Sequence, residues 1–249
     1  MTATTSTALD AQYVYGIAPA PVRAPRALGV GGAPVRLLTE SGLCAAVSAA
    51  PGQLRARRRD LMAHQAVLDE LSAQGPVIPM QFAVLTRDAD AVRARLRDGQ
   101  AHLSAQLDAV RGRVEMNLKG ATVPGYFARL VHQDEGLRNL ARRTRRRPDY
   151  DANVRLGEAI ARAVRQEAER AARETLARLA PFAERTVQGA LDDTHVLSTS
   201  FLLRAADEKR FREAVAELAH RFGDRLALSV TGPLPCYSFV ETAPAAAGA

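Results

Sequence analysis

Hydrophobic and polar positions follow two different periods along this chain, and the switches between them mark out its elements. Gln12 to Ala18 is a compact Tyr/Val/Ile run that suits a pleated, half-buried strand. Pro19 to Pro34 is rich in Pro, Gly and Ala, which removes backbone donors and predicts a mobile loop. Val35 to Leu38 and Leu43 to Ala49 read as strands joined at Glu40-Ser41-Gly42, where glycine permits a positive φ and hence a hairpin. Between Gly52 and Gln74, Leu61, His64, Leu68 and Leu71 recur at three- and four-residue spacing, predicting a helix face closed by Gly75-Pro76. Val77 to Leu85 predicts a strand that starts at a sheet edge, because Pro79 cannot donate to a ladder. A second helix is predicted from Asp88 to Val110. Arg113 to Lys119 then alternates, with Val114, Met116 and Leu118 on one side and Arg113, Glu115, Asn117 and Lys119 on the other, as an edge or one-side-exposed strand would.

Glycine and proline interrupt both periods at Gly120 to Pro124, and the composition turns helical afterwards, so the domain boundary is placed there. One helix is predicted over roughly Gly125 to Arg146 and another over Asp151 to Ala180, separated by Pro148. The second carries the apolar stripe Leu156, Ile160, Val164, Ala168, Ala172, Leu176 and Leu179. Its Glu158/Arg162, Glu169/Arg173 and Glu174/Arg178 pairs at i,i+4 describe a solvated outer face. Strands follow at Phe182 to Ala190 and His195 to Arg204, joined by the polar Leu191 to Thr194. A helix starts near Asp207 with Phe211, Val215, Leu218 and Phe222 on one face and ends at Gly223, and Leu226, Leu228 and Val230 alternate as a closing strand. The class is α+β with two domains, 12–120 and 121–240, each laying helices on one face of a mainly antiparallel sheet. The second holds a helical hairpin, and residues 1–11 and 241–249 are expected to be disordered tails.

Composition narrows the function classes. No apolar run approaches the roughly 20 residues of a membrane span, and the Thr- and Ala-rich start lacks a basic segment followed by an apolar stretch, so a cytoplasmic protein without a membrane role is expected. The net charge of +7 would ordinarily point to an acidic partner. Lys119 and Lys209 are the only lysines among 34 basic residues, as a GC-rich coding sequence would give, and tryptophan is missing. Base-stacking platforms are therefore scarce, and nucleic acid is not the expected partner.

Candidate chemistry is thin. The two cysteines, Cys44 and Cys236, lie in apolar surroundings and read as inert buried thiols. His64, His102, His132, His195 and His220 fall on different predicted elements with no metal-ligand spacing, so no metal or cofactor is expected. Gly29 to Gly32 lacks the preceding strand and following helix of a phosphate-binding loop. Asp192-Asp193 lies between two strands, where acidic residues make turns. His64 sits on the inward stripe of its helix and reads as a satisfied core histidine. Arg142, Arg143, Arg145, Arg146 and Arg147 form the densest charge on the chain at a helix C-terminus, either as a solvated helix end or as a patch for docking a partner.

Five segments resemble, in order, the gas vesicle protein F/L family. Tyr13-Val14-Tyr15-Gly16-Ile17 is similar to its opening strand, and His64-Gln65-Ala66-Val67-Leu68 to its first-helix pattern. Val77-Ile78-Pro79-Met80-Gln81-Phe82 resembles its Val-Leu-Pro-Leu-Arg-Phe-Gly segment, and Glu115 to Lys119 its Glu-x-x-Val-Lys strand. Thr231-Gly232-Pro233 through Tyr237-Ser238-Phe239 is similar to its end. The chain departs at Gln81, Ala83, Leu234 and Cys236, where the family usually has Arg, Gly, Trp and Pro. Tyr13, Tyr15, Gly16, His64, Pro79, Phe82, Gly232, Pro233, Tyr237 and Phe239 are taken as structural motif residues. The resemblance implies ferredoxin-like character and a non-enzymatic accessory protein. Its partners would be the hydrophobic gas vesicle shell protein (GvpA type) and other accessory proteins. Alternatives are a ferredoxin-like small-molecule or nucleic-acid-binding regulator, or a minor structural part of the vesicle. The arginine cluster is one candidate docking surface. Strand addition at the segment after Pro79, or at Arg113, Glu115, Asn117 and Lys119, is another.

Overall fold

The computed structural model describes residues 11–123, 125–147, 149–192 and 194–241. The expected tails therefore lie almost wholly outside the described residues, as do Pro124, Pro148 and Asp193.

The chain forms two compact units, each α+β, and each built on its own sheet. The first sheet has the order β2 (Arg36–Glu40), β3 (Leu43–Ala49), β1 (Gln12–Pro19), β4 (Ile78–Pro79), with β5 (Leu85–Thr86) also pairing β1. Every pairing of β1 is antiparallel. The predicted hairpin forms, with Glu40 opposite Leu43 and both Ser41 and Gly42 at positive φ, as the right-handed twist of a two-residue hairpin requires. Val77 to Leu85 contains two short strands rather than one, and Pro79 lies in the edge strand β4 as its missing donor requires.

Helices cover both faces of this sheet, which corrects the one-face expectation. Tyr13, Tyr15 and Ala46 meet Val67, Leu68 and Leu71 of α1 (Arg58–Ser72) on one side. Val14, Ile17, Ala45 and Val47 meet the helices α2 (Ala89–Asp98) and α3 (Gln100–Val110) on the other. Burial from both sides explains why β1 reads as an unbroken apolar run. The α1 stripe is rotated from the expected one, with Leu61 44% exposed and Val67 buried. The single helix expected from Asp88 to Val110 is broken at Gly99, while the Asp88 carboxylate accepts the Ala91 N–H and caps α2. The loop after Pro19 is tethered, not loose. Glu70 accepts the Arg26 and Ala27 N–H groups, Gln74 accepts that of Arg23, and Tyr15 accepts that of Val30.

The second sheet has the order β7 (Arg185–Gln188), β8 (His195–Arg204), β6 (Arg113–Thr122), β9 (Leu226–Leu234). With α6 (Tyr150–Leu179) after β6 and α7 (Glu208–Phe222) after β8, this is the split β-α-β-β-α-β order of a ferredoxin-like unit. Strand β6 is therefore internal, not an edge, which corrects its predicted role. The helix expected from Gly125 to Arg146 divides into α4 (Tyr126–Gln133) and α5 (Glu135–Arg146), because the Asp134 side chain accepts the Leu137 N–H and starts a new helix. All four predicted core residues of α7 are buried. Of the predicted ion pairs on α6, Glu174–Arg178 forms, whereas Glu169 pairs with Arg165.

The units divide after Glu115, inside β6, and residues from Pro233 onward return to the first unit. Gly120, the expected boundary, is buried within β6 because the strand continues through it to Thr122.

Candidate functional site

The resemblance residues in the first unit come together in its core. In β1 the register shifts between Val14 and Gly16, so Tyr15 and Gly16 both turn toward α1. A Cβ on Gly16 would sit 2.9 Å from Leu68 Cδ2 and 3.1 Å from the Ile78 carbonyl, so the bulge leaves room only for glycine. Tyr13, Tyr15, His64 and Phe82 form a ring cluster with centroids 4.7 to 6.0 Å apart.

Hydrogen bonding fixes the state of that cluster. His64 Nε2 lies 3.0 Å from the Met80 carbonyl, which can only accept, so Nε2 carries the proton. Nδ1 then accepts from the Tyr13 hydroxyl at 2.9 Å, and the Tyr13 oxygen accepts the Ala83 N–H at 3.1 Å. Burial lowers the His64 pKa, against the opposing pull of the Met80 carbonyl, and burial likewise raises that of Tyr13. The neutral imidazole, with both nitrogens hydrogen-bonded, ties α1 to Tyr13 of β1 and to the Met80 carbonyl just after β4.

The C-terminal motif performs the same service at the strand that leaves this unit. Glu115 is only 3% exposed, and its two oxygens accept the Ser238 N–H at 2.8 Å and the Ser238 O–H at 2.7 Å. Phe239 is buried and Tyr237 packs with the Tyr13 cluster. Burial, followed by the charges of Asp69 and Glu115, pushes the Tyr237 hydroxyl up to about 12. Burial and then Glu115 push the Cys236 thiol up to about 12, and Cys44 is buried beside Thr39. Gly232 and Pro233 end β9, where an Arg212 guanidinium donates to the Gly232 carbonyl.

Of the four β6 residues expected to face a partner, Glu115 is thus buried and Asn117 donates to Ser200 Oγ at 3.1 Å within the second sheet. Arg113 is half-buried and donates to the Arg111 carbonyl, and only Lys119 is exposed. Their alternation reports burial between two neighbouring strands, not a free edge.

Arg142, Arg143, Arg145, Arg146 and Arg147 are all exposed at the end of α5 and have no carboxylate partner among the described residues. Asp192 behaves as a turn residue: its carboxylate accepts the Thr194 and His195 N–H groups and faces His195 Nδ1 at 2.9 Å. Those contacts, the imidazole first, hold it down to about 2. Among the described residues no group of three or more His, Cys, Asp or Glu is placed to hold a metal ion. No helix among them is long and apolar enough to cross a membrane.

Sequence reasoning missed an apolar surface on the helices of the second unit. Phe127 is 53% exposed, Tyr150 80% and Val154 42%. The signal was present in α6, whose apolar stripe continues past Leu156 toward Tyr150, with Gly157 inside the helix.

Comparisons with known proteins agree with this architecture over nearly the whole chain. The family described as gas vesicle synthesis protein GvpL/GvpF matches residues 11–241. Gas vesicle protein F of Streptomyces sp. (strain CB03234) is 38% identical over 238 residues, covering 92% of this chain and 99% of that protein. Gas vesicle protein L of the same strain is 32% identical over 255 residues, covering 93% of each. The crystal structure of GvpF from Anabaena sp. PCC7120 superposes with a TM-score of 0.77 at 20% identity, covering 94% of this chain and 99% of that one. That of GvpF from Microcystis aeruginosa gives 0.72 at 19%, covering 93% and 99%. At those identities the two structures speak for the fold. With a family match from residue 11 to residue 241 and two relatives 38% and 32% identical over more than nine-tenths of its length, the chain belongs to the gas vesicle protein F/L family.

Proposed function

We propose that this chain is a non-enzymatic accessory factor of gas vesicle assembly, acting in the cytoplasm by contact with the hydrophobic shell protein and with other accessory proteins. A subunit that builds a water-excluding wall must expose apolar, strand-forming surface before it assembles, and such surface aggregates. A binder that covers it keeps it competent.

One observation carries the reading: Tyr13, His64 and Glu115 are buried and hydrogen-bonded internally, while large apolar side chains and an arginine cluster stand exposed. The Tyr13–His64 and Glu115–Ser238 clusters are closed by their own hydrogen bonds. What faces outward is a set of large apolar side chains, an arginine cluster and short edge strands. Such surfaces suit protein recognition rather than turnover of a small substrate.

The direct test is affinity capture of the full chain from cells expressing the vesicle gene cluster, scored for the shell protein by mass. Charge reversal of Arg145, Arg146 and Arg147 to glutamate is expected to reduce the recovered shell or accessory protein, and equal recovery removes the cluster from the interface. Deleting the gene should abolish buoyant vesicles. Normal flotation of the deleted strain would sink the assembly role.

A further inference from the structure

The second unit carries an open groove of about 430 Å³ between α4, α6 and the end of β6. Val123, Phe127, Gly157, Ile160, Ala161 and Val164 line it. At helical spacing, Tyr150 and Val154 continue the same stripe toward the start of α6. From Tyr150 to Val164 the stripe runs about 21 Å at 1.5 Å per residue, the length of a four-turn helix.

Gly157 is the telling residue. It lies in the interior of a 30-residue helix, is exposed, and an added Cβ would meet nothing within 4 Å. Glycine there is a poorer helix former than alanine, and neither a positive φ nor a close neighbour in the fold demands it. With Ala161 one turn on, it forms a shallow notch that lets another backbone approach closely. The surrounding charge selects the visitor. Between Tyr126 and Arg165 the chain has ten arginines against five carboxylates; Arg129 and Arg165 pair with Asp224 and Glu169, whereas Arg145 to Arg147, next in sequence to the Tyr150 end, stand unpaired among the described residues.

We infer that this groove is a docking site for an acidic amphipathic α-helix of a partner protein, its bulky apolar face on the Phe127–Gly157–Ala161 notch and its carboxylates toward the arginines. The helix-in-groove mode matches the stripe's length and spacing, and the charge fixes the class of helix. The inference deepens the accessory role proposed above and relies on it only for the identity of the client.

The test uses the full chain and a fluorescent synthetic helix of roughly 15 residues, with leucines on one face and glutamates on the other, titrated by anisotropy. Saturable binding that weakens with added salt is expected. A control helix with lysine for glutamate should bind about tenfold or more weakly. Gly157→Leu plugs the notch and should weaken binding about tenfold or more, while its Tm stays level or rises because leucine is the better helix former. Val154→Asp should weaken binding in the same direction from an exposed position. The inference is overturned if no saturable binding occurs, if the acidic and basic helices bind equally, or if Gly157→Leu binds as tightly as the parent. Gene deletion and flotation read the accessory role separately, so either can fail without the other.

Discussion

At the scale of single residues, the polar groups of the first core are arranged so that one protonation state fits. His64 accepts from Tyr13 and donates to Met80 only when neutral. Its folded pKa lies below the unfolded value of about 6.5, so the unfolded chain binds the extra proton in the window between them. Stability is therefore complete above about pH 6.5 and falls as the pH drops toward the folded value. Urea melts at neutral and mildly acid pH should show this loss, and His64→Gln should flatten the dependence that this residue contributes. Ala83 offers a second test. It stands at φ +76°, a left-handed conformation that favours glycine, while its N–H donates to the Tyr13 oxygen. Relief of about 1–2 kcal/mol of left-handed strain, less the roughly 0.4–1 kcal/mol of chain entropy that glycine adds to the unfolded state, predicts that Ala83→Gly stabilises by about 0.5–1 kcal/mol in denaturant titration. The departure at residue 83 was legible in the sequence. Its meaning was not, because only the backbone angle explains it.

At the scale of elements, what could be read depended on how local the cause was. The hairpin at Ser41-Gly42 and the face of α7 follow from turn chemistry and helical spacing within a few residues, and both formed as expected. The break at Asp134 was written in a capping residue three positions before Leu137 and was passed over. Strand β6 misled for a different reason: alternation marks which side chains face a core, whereas edge or interior position depends on β8 and β9, far away in the chain. The α4–α6 groove escaped because the α6 stripe was followed only from Leu156 onward, although Tyr150 and Val154 extend it at helical spacing. Two element-level outcomes can be checked. Gly16→Ala should cost about 1–3 kcal/mol, since the new methyl meets Leu68 and the Ile78 carbonyl across the bulge. One edge of the second sheet lies at β7, where the Gly189 N–H pairs inward with the Ser198 carbonyl, so the ladder alternation turns the Gln188 N–H outward. If a client strand adds there, Gln188→Pro should lower its capture while leaving the melting temperature within a few degrees of the parent. An unchanged yield would rule out strand addition at that edge.

At the scale of the whole molecule, the two units differ in how the chain supplies them. The second is one continuous stretch from Met116 to Gly232, whereas the first combines residues up to Glu115 with residues from Pro233 onward. Phe239 and Cys236 are buried there, and Ser238 satisfies both oxygens of Glu115. A fragment ending near residue 120, the boundary that composition suggests, should therefore melt early and bind a hydrophobic dye, and supplying residues 233–241 as a peptide should restore a cooperative transition. Ser238→Ala, which leaves one carboxylate oxygen without its hydroxyl donor, should cost about 1–3 kcal/mol. Because synthesis runs from the N-terminus, residues 233–241, which close the first core, leave the ribosome only after the whole of the second unit. The nascent chain must wait with that core ajar while the later-made unit is already able to close, so the unit begun first is the one finished last.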